Sequence, residues 1–218
     1  MSHLYDEKYY SGNSNYQAYE YDTRFIQWAY DIKKYLNPSN VLEIGCAKGF
    51  LMRALRLVGV QSKGIDLSEY AILNADSLVK SDAIVASATE IPFQVTFDLV
   101  IAFDILEHIP EPEVFTAIDE ICRLGKSVFL KMPHFYDPWD MDKTHVTLYP
   151  KSWWNHQFEK RGYKVVQHHE ILKRFNYMGG MLYTKVELNS KIAEPEVCDI
   201  ATDSEKQLFE TCRFRDIF

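Results

Sequence analysis

The 218-residue chain has little of what marks several common kinds of protein. Its four cysteines, Cys46, Cys122, Cys198 and Cys212, form no C-x-x-C pair and are too few for a disulfide framework. Each reads as a small buried or semi-buried thiol in a reducing compartment. No apolar run approaches the ~18 residues of a membrane span. The opening Met1-Ser2-His3-Leu4-Tyr5-Asp6-Glu7 lacks the basic and apolar regions of a secretory signal. The expectation is therefore a soluble, cytoplasmic protein with no membrane partner. Basic residues number 24 against 31 acidic ones, a net charge of −7, and they are scattered. No footprint for a phosphate backbone is visible, so nucleic acid is not an expected partner. Glycine and proline stand as single punctuation points, with no internal repeat and no low-complexity linker to suggest a second folded domain.

What is present is an alternating pattern. Phe25, Trp28, Ala29, Ile32, Tyr35 and Leu36 recur at helical spacing from Asp22 until Asn37-Pro38 ends the run. Residues 41–44 read as a buried strand, and after a glycine-containing turn Leu51, Ala54, Leu55 and Val58 resume helical spacing. Strands follow at 63–65, 83–86, 97–103 and 127–132, with a Ser68-capped helix through Leu73 and another behind Pro112. Residues 133–150 read as a long loop, 152–161 as a helix closed by Gly162, and 163–168 and 181–188 as strands separated by a turn. The polar, acidic end carries a last helix from Ser204 to about Cys212 and reads as a lid, a partner contact or a partly disordered tail. Strands alternating with helices predict an α/β fold: a Rossmann-like three-layer sandwich around a mostly parallel seven-stranded sheet with an antiparallel edge strand. Eight tyrosines lie before residue 36. The expected division is an aromatic N-terminal lid and lead-in helix (1–37), a catalytic domain (38–190) and a tail (191–218).

The informative stretch is Glu43-Ile44-Gly45-Cys46-Ala47-Lys48-Gly49. A turn from a buried strand into a helix gathers backbone N–H groups around one point, and glycines let the main chain approach a nucleotide-like ligand. A dinucleotide fingerprint would want glycine at 45, 47 and 50, where this chain has Gly45, Ala47 and Phe50. The P-loop pattern is absent as well. Asp66 ends the second strand, where a carboxylate accepts both hydroxyls of a ribose. Together, Glu43-x-Gly45-x-Ala47-x-Gly49, Asp66, and Phe97-Asp98-Leu99-Val100 leading to Leu106-Glu107-His108-Ile109 resemble the class I S-adenosylmethionine-dependent methyltransferases, in particular the small-molecule branch with ubiquinone-biosynthesis-like enzymes. The likeness covers roughly residues 38–188. It implies S-adenosyl-L-methionine as cofactor, with its methionine moiety over Gly45, Cys46, Ala47 and Gly49. Asp66 then takes the ribose, Leu67 lies beside the adenine, and Ser87 and Ala88 lie at its amino edge. Glu43, Phe103, Tyr16 and Tyr21 complete the implied cofactor set, the tyrosines as part of a closing lid. Taken singly, Gly45 and Gly49 would read as packing residues and Asp66 as a helix cap.

Methyl transfer is an in-line displacement, so the enzyme aligns acceptor and methyl, excludes water and removes a proton where the acceptor needs it. In the resembled family the loops after strands four and five do this work. The Asn/Asp-Pro-Pro-Tyr motif of amino-group methylases is missing after strand four. His145 is the expected general base and Asp104 its companion, the alternative being that His145 shapes the pocket or orients Asp104. Asp104, Glu107 and His108 also have metal-ligand spacing, which His145 or Asp142 could complete, but no metal residue enters the expected site. Trp139, Trp153 and Trp154 are read as an apolar wall, Trp154 alternatively as core. The expected function is O-methylation of a small-molecule hydroxyl in metabolite or cell-surface precursor biosynthesis, with a homodimer as an admissible assembly. The alternatives are N- or carboxylate methylation of a metabolite or peptide, or a non-catalytic cofactor-binding regulatory subunit.

Overall fold

The computed structural model describes residues 5–12, 18–133, 142, 144–175, 178–188 and 194–214. Seven strands form one sheet: β1 (Asn40–Ile44), β2 (Gln61–Asp66), β3 (Ala83–Val85), β4 (Phe97–Phe103), β5 (Gly125–Lys131), β6 (Lys164–Val166) and β7 (Gly180–Thr184), in the order β3-β2-β1-β4-β5-β7-β6. β1 to β5 run parallel, whereas β7 pairs antiparallel with both β5 and β6. The alternating sequence explains the parallel part, because parallel neighbours need a crossover and a helix is the compact one. The helices are α1 (Glu7–Tyr10), α2 (Thr23–Leu36), α3 (Phe50–Leu57), α4 (Glu69–Leu73), α5 (Glu113–Leu124), α6 (Lys151–Glu159), α7 (Glu170–Phe175) and α8 (Asp203–Phe214).

Successive residues of a strand point to opposite faces, and β4 shows both cores at once. Leu99 and Ile101 join Phe25, Ile32, Leu55, Phe175 and Phe209 on one side, while Val100 and Ala102 join Ile118, Ile121, Trp154 and Phe158 on the other. Helices α2, α3, α7 and α8 thus cover one face and α5 and α6 the other. Each large aliphatic or aromatic side chain fully withdrawn from water stabilises the sandwich by about 1.5–3 kcal/mol.

Three sequence readings change. The connection between β6 and β7 is the helix α7 with its flanks, because Ile171 and Phe175 have a core face to bury there. His168 and His169 lie beyond β6, and His169 Nδ1 accepts from the Ile171 N–H at 3.3 Å, bonding the start of α7. The tail reaches the core as well. Phe209 and Cys212 of α8 are buried with α2, and Arg53 of α3 bridges Glu205 at 3.0 Å and Asp76 at 3.1 Å. No described helix is long and apolar enough to cross a membrane.

The strand order reverses between β1 and β4, since the chain leaves β1 toward β2 and returns on its other side. Helices on the two flanks diverge there, and a crevice opens beyond the carboxyl ends of the strands.

Candidate active site

That crevice is a cavity of about 1160 Å³. Its wall includes Glu43 and Gly45 from the end of β1, Asp66 and Leu67 from β2, Ser87 and Ala88 after β3, and Phe103 and Asp104 from β4. Ala47, His108 and His145 also line it. Residues scattered over a hundred positions converge because parallel strands all end at the same rim.

The turn after β1 is rigidly tied. Gly45 N–H and Cys46 N–H both donate to the Ile65 carbonyl, at 2.8 and 2.9 Å, and Ala47 N–H donates to Asp66 Oδ2 at 2.8 Å. Gly45 has φ +74°, and a Cβ there would lie 1.9 Å from Ile105 Cδ1. Ala47 also holds a positive φ, +48°, a conformation that costs a residue with a Cβ about 1–2 kcal/mol. The charge-assisted bond to Asp66 offsets that cost, so alanine serves where the related motif has glycine. Asp66 Oδ1 accepts from Ser68 N–H at 2.8 Å, and a carboxylate holding these bonds keeps further acceptor capacity. Burial raises Asp66 above the usual carboxylate range, and the bonds from Ser68 and Ala47 work against it.

Glu43 tests whether an S-adenosyl sulfonium with its ammonium suits the crevice. The residue is 6% exposed, and its Oε2 has no hydrogen-bond partner among the described residues. Burial, with the neighbouring Asp66 charge second, holds its pKa well above normal. A buried acid without a cation is costly, and a bound cationic group supplies what is missing. Glu43, Asp66 and the close-approach turn therefore fit the cofactor.

An aromatic segment covers this half of the cavity. Tyr5, Tyr9, Tyr10 and Tyr19 line it. Tyr10 stacks on Tyr70 with centroids 5.9 Å apart, Lys48 Nζ lies 5.6 Å above the Tyr10 ring, and Ser68 Oγ donates to the Tyr5 carbonyl at 2.5 Å. Burial, then the charges of Asp142, Asp66 and Glu107, push the Tyr5 phenol up to about 12, so it is a neutral donor at pH 7.

Several expected contacts fall elsewhere. Tyr21 is not part of the cavity wall, although Asp22, Arg24 and Phe25 after it are; its ring stacks on Phe25 and lies 5.4 Å from the Arg53 guanidinium. The Cys46 side chain points away, packed against Gly64, whose added Cβ would meet Cys46 Cβ at 2.6 Å. Gly49 caps α3 with φ +74° behind the cavity wall, facing Val79. Trp154 is core, and Trp153 stacks on Tyr149 at 4.1 Å, so neither walls the cavity. Trp28, Phe25 and Phe103 provide the aromatic wall instead. Tyr16 and Trp139 lie outside the described residues. Ser87 lines the cavity with its hydroxyl 2.7 Å from Thr89 Oγ1.

The other half of the cavity is walled by the turn after β4 and the segment around His145. Val146 and Thr147 N–H groups donate to the Glu107 carbonyl at 2.8 and 3.0 Å, clamping that segment onto the turn. His145 does not orient Asp104: its Nε2 lies 3.6 Å from Asp142 Oδ2, and its ring packs against His108 at 4.7 Å. Asp104 pairs with Lys131. Thr144 Oγ1 links His108 Nδ1 (2.9 Å) to Asp142 Oδ1 (2.6 Å). Burial, and secondarily the nearby His145, keep His108 below the usual imidazole range. Glu107, His108 and His145 bring one ligand atom each within 4.8 Å of one another, a donor set able to hold a divalent cation. Trp28 and Lys131 are among the wall residues that sequence reasoning missed. A single charge ending the apolar strand Ser127-Val128-Phe129-Leu130-Lys131 was the available signal for the second.

The methyltransferase-domain family model matches residues 23–168. Similar curated proteins include ubiquinone biosynthesis O-methyltransferases of Paraburkholderia xenovorans, 34% identical over 105 residues, and of Burkholderia orbicola, 36% identical over 107 residues. The aligned parts cover 45% of this chain in each case, and 44% and 46% of those proteins, so the chain spans under half the length of the curated relatives it matches. Among solved structures, an amino pentose methyltransferase of Micromonospora echinaspora with S-adenosylmethionine bound superposes with a TM-score of 0.60 at 13% identity, over 83% of this chain and 96% of that one. Magnesium protoporphyrin IX methyltransferase of Synechocystis, with S-adenosylhomocysteine bound, gives 0.56 at 13% identity over 84% and 98%. With the strand order, the tied turn after β1 and the acid ending β2, the match places the chain in the methyltransferase-domain family, in its class I S-adenosylmethionine-dependent branch.

Proposed function

We propose that the protein transfers a methyl group from S-adenosylmethionine to a hydroxyl of a small molecule in a cytoplasmic setting. The observation that carries this reading is the single cavity running from the Glu43–Asp66 end, which suits an adenosyl sulfonium, to an end walled by the proton acceptors Asp104 and His145. The bound cofactor supplies an electrophilic methyl. The chain's own residues do the rest: the turn at Gly45 and Ala47, with Glu43, holds the methionine end, Asp66 holds the ribose, and Leu67, Ser87 and Ala88 border the adenine. Tyr5, Tyr9 and Tyr10 exclude water above it. Asp104 and His145 are the two proton acceptors at that end, and one of them takes the hydroxyl's proton, which raises the nucleophilicity of a poor nucleophile.

Two measurements test this. Calorimetry with S-adenosylhomocysteine reports the cofactor site, and mass spectrometry of material co-purified with the protein reports cofactor and acceptor together. Asp104→Asn and His145→Ala are each expected to lower kcat by about 100-fold or more. A variant with near-full activity drops its residue from proton removal. Tight homocysteine-product binding without turnover of any hydroxyl, amine or carboxylate acceptor would instead support a cofactor-binding subunit.

A second reading has an observation of its own, the convergence of Glu107, His108 and His145. A divalent cation held there would polarise the acceptor's oxygen. If so, EDTA abolishes activity and added Mg²⁺, Mn²⁺ or Zn²⁺ restores it. Unchanged activity in EDTA together with metal-free protein by elemental analysis removes this reading.

A further inference from the structure

The acceptor end of the cavity holds a charge that this scheme does not use. Lys131 is 8% exposed at the end of β5, and lysine is almost never so buried without a partner. Its partner is the Asp104 carboxylate, itself 50% exposed where the cavity opens. The pair is also joined through the main chain, since Asp104 N–H donates to the Lys131 carbonyl at 2.6 Å. Asp104 sits at φ +54°, a left-handed conformation that few non-glycine residues adopt. Ammonium and carboxylate therefore face each other before any ligand arrives. Rings enclose them: Lys131 Nζ lies 5.5 Å from the centroid of Trp28 and 6.0 Å from that of Phe103, with Phe25 and Met178 on the same wall.

We propose that Lys131 and Asp104 together form the acceptor's hydroxyl site, Lys131 Nζ donating to the oxygen and Asp104 accepting from its hydrogen, with the carbon skeleton against Trp28 and Phe103. This rests on the O-methylation reading and narrows it to an uncharged hydroxyl on a planar, apolar skeleton. A hydroxyl is donor and acceptor at once and matches an ion pair of zero net charge. A carboxylate would face Asp104, and an ammonium would face Lys131; both lose affinity by like-charge contact. An ammonium has three donors, and among the described residues Asp104 is the hydrogen-bond acceptor shown for it. In the transfer, the oxygen bonds to the methyl carbon as the carbon–sulfur bond breaks and leaves its electron pair on sulfur. The hydroxyl's proton passes to Asp104 and then to solvent, while Lys131 stabilises the charge developing on oxygen.

The test is calorimetry at pH 7 on the S-adenosylhomocysteine-loaded enzyme with catechol, benzylamine (an ammonium at this pH) and benzoate as probes, repeated on Lys131→Met and Asp104→Asn. Catechol is expected to bind about tenfold more tightly than the other two, and that preference is expected to fall below about threefold in both variants. Homocysteine-product affinity should stay within about twofold of wild type. The assignment is overturned if catechol has no preference, if the preference survives in Lys131→Met, or if none of the three binds. It is overturned too if Lys131→Met loses homocysteine-product affinity in parallel, because Lys131 would then serve the cofactor. Wild-type protein that fails to bind S-adenosylhomocysteine sinks the underlying reading instead. Should Lys131→Met not fold, Asp104→Asn, nearly isosteric and half exposed, carries the test.

Discussion

Gly45 and Gly59 share a backbone conformation, φ +74° and +73°, but differ in what a side chain would meet. At Gly59, after α3, an added Cβ has nothing within 4 Å; at Gly45 it would lie 1.9 Å from Ile105 Cδ1 and 2.6 Å from Ile105 Cγ1. Replacing either by alanine costs about 1–2 kcal/mol for the left-handed conformation. For a chain of this size each kcal/mol lowers Tm by about 2–4 °C, so Gly59→Ala should lose about 2–8 °C. Gly45→Ala carries the same strain and must also displace Ile105, an overpacking cost of about 1–3 kcal/mol. Ile105 and Gly45 both line the cavity, so that displacement moves the floor on which the cofactor would rest. Differential scanning fluorimetry and calorimetry with S-adenosylhomocysteine check both variants side by side. Gly59→Ala should bind with wild-type affinity, and Gly45→Ala should melt lower still and bind at least about tenfold more weakly, a loss of about 1.4 kcal/mol. Equal melting losses with unchanged affinity in both would refute the argument that Gly45 is kept for close approach.

Glu43→Gln should raise the Tm of the ligand-free protein at pH 7 and weaken S-adenosylhomocysteine binding. The Glu43 carboxyl is held above its unfolded pKa, so the folded state keeps a proton that the unfolded state loses, and stability falls as pH rises past about 4.5. A Tm–pH series on both proteins checks it, and the gap should close in acid. Glu205 behaves in the opposite sense: burial would raise it, but bonds from Arg53 and Thr202 prevail and hold it low. Its contribution is therefore complete above about pH 4.5 and is lost as pH falls through the folded value. Glu205→Gln should cost about 1.5–3 kcal/mol at pH 7 by urea unfolding, with wild type and variant converging in acid. Ala47→Gly relieves a positive φ while keeping the Asp66 bond, so it should leave homocysteine-product affinity within about twofold and change stability by under about 1 kcal/mol. A large loss of affinity there would mean that the alanine methyl itself touches the ligand.

The parallel part of the fold was legible because its signals are local. Phe97–Phe103 is a strand that is apolar but for Asp98, with two faces to bury, and Ser68 caps α4 by accepting from Ala71 N–H at 3.0 Å. The region after residue 162 was less so. Ile171 and Phe175 carry too short a pattern to announce a helix, and α7 forms because the sheet face beside them needs covering. In the site, Glu43, Gly45 and Ala47 were readable from spacing around one turn, and Asp66 from its place at the end of the next strand. Tyr21 and Cys46 were misplaced because neighbours along an irregular chain point in directions that spacing does not encode. The acidic tail looked separable, but an amphipathic segment such as α8 shows its partner only when Phe209 and Cys212 find α2.

The amino-acid sequence by itself settled the alternation of strands and helices from β1 to β5, and with it a parallel sheet, because right-handed crossovers admit few arrangements of such an alternation. It also pointed to the turn at Gly45 and to the acid ending the next strand, since each stands at the end of a short apolar run that is visible locally. Only the tertiary structure joined Lys131 to Asp104 and Trp28 to Phe103. Such pairs meet across different elements, and their distances follow from how strands are registered and helices are seated, quantities set by the packing of the whole core rather than by any local stretch of chain.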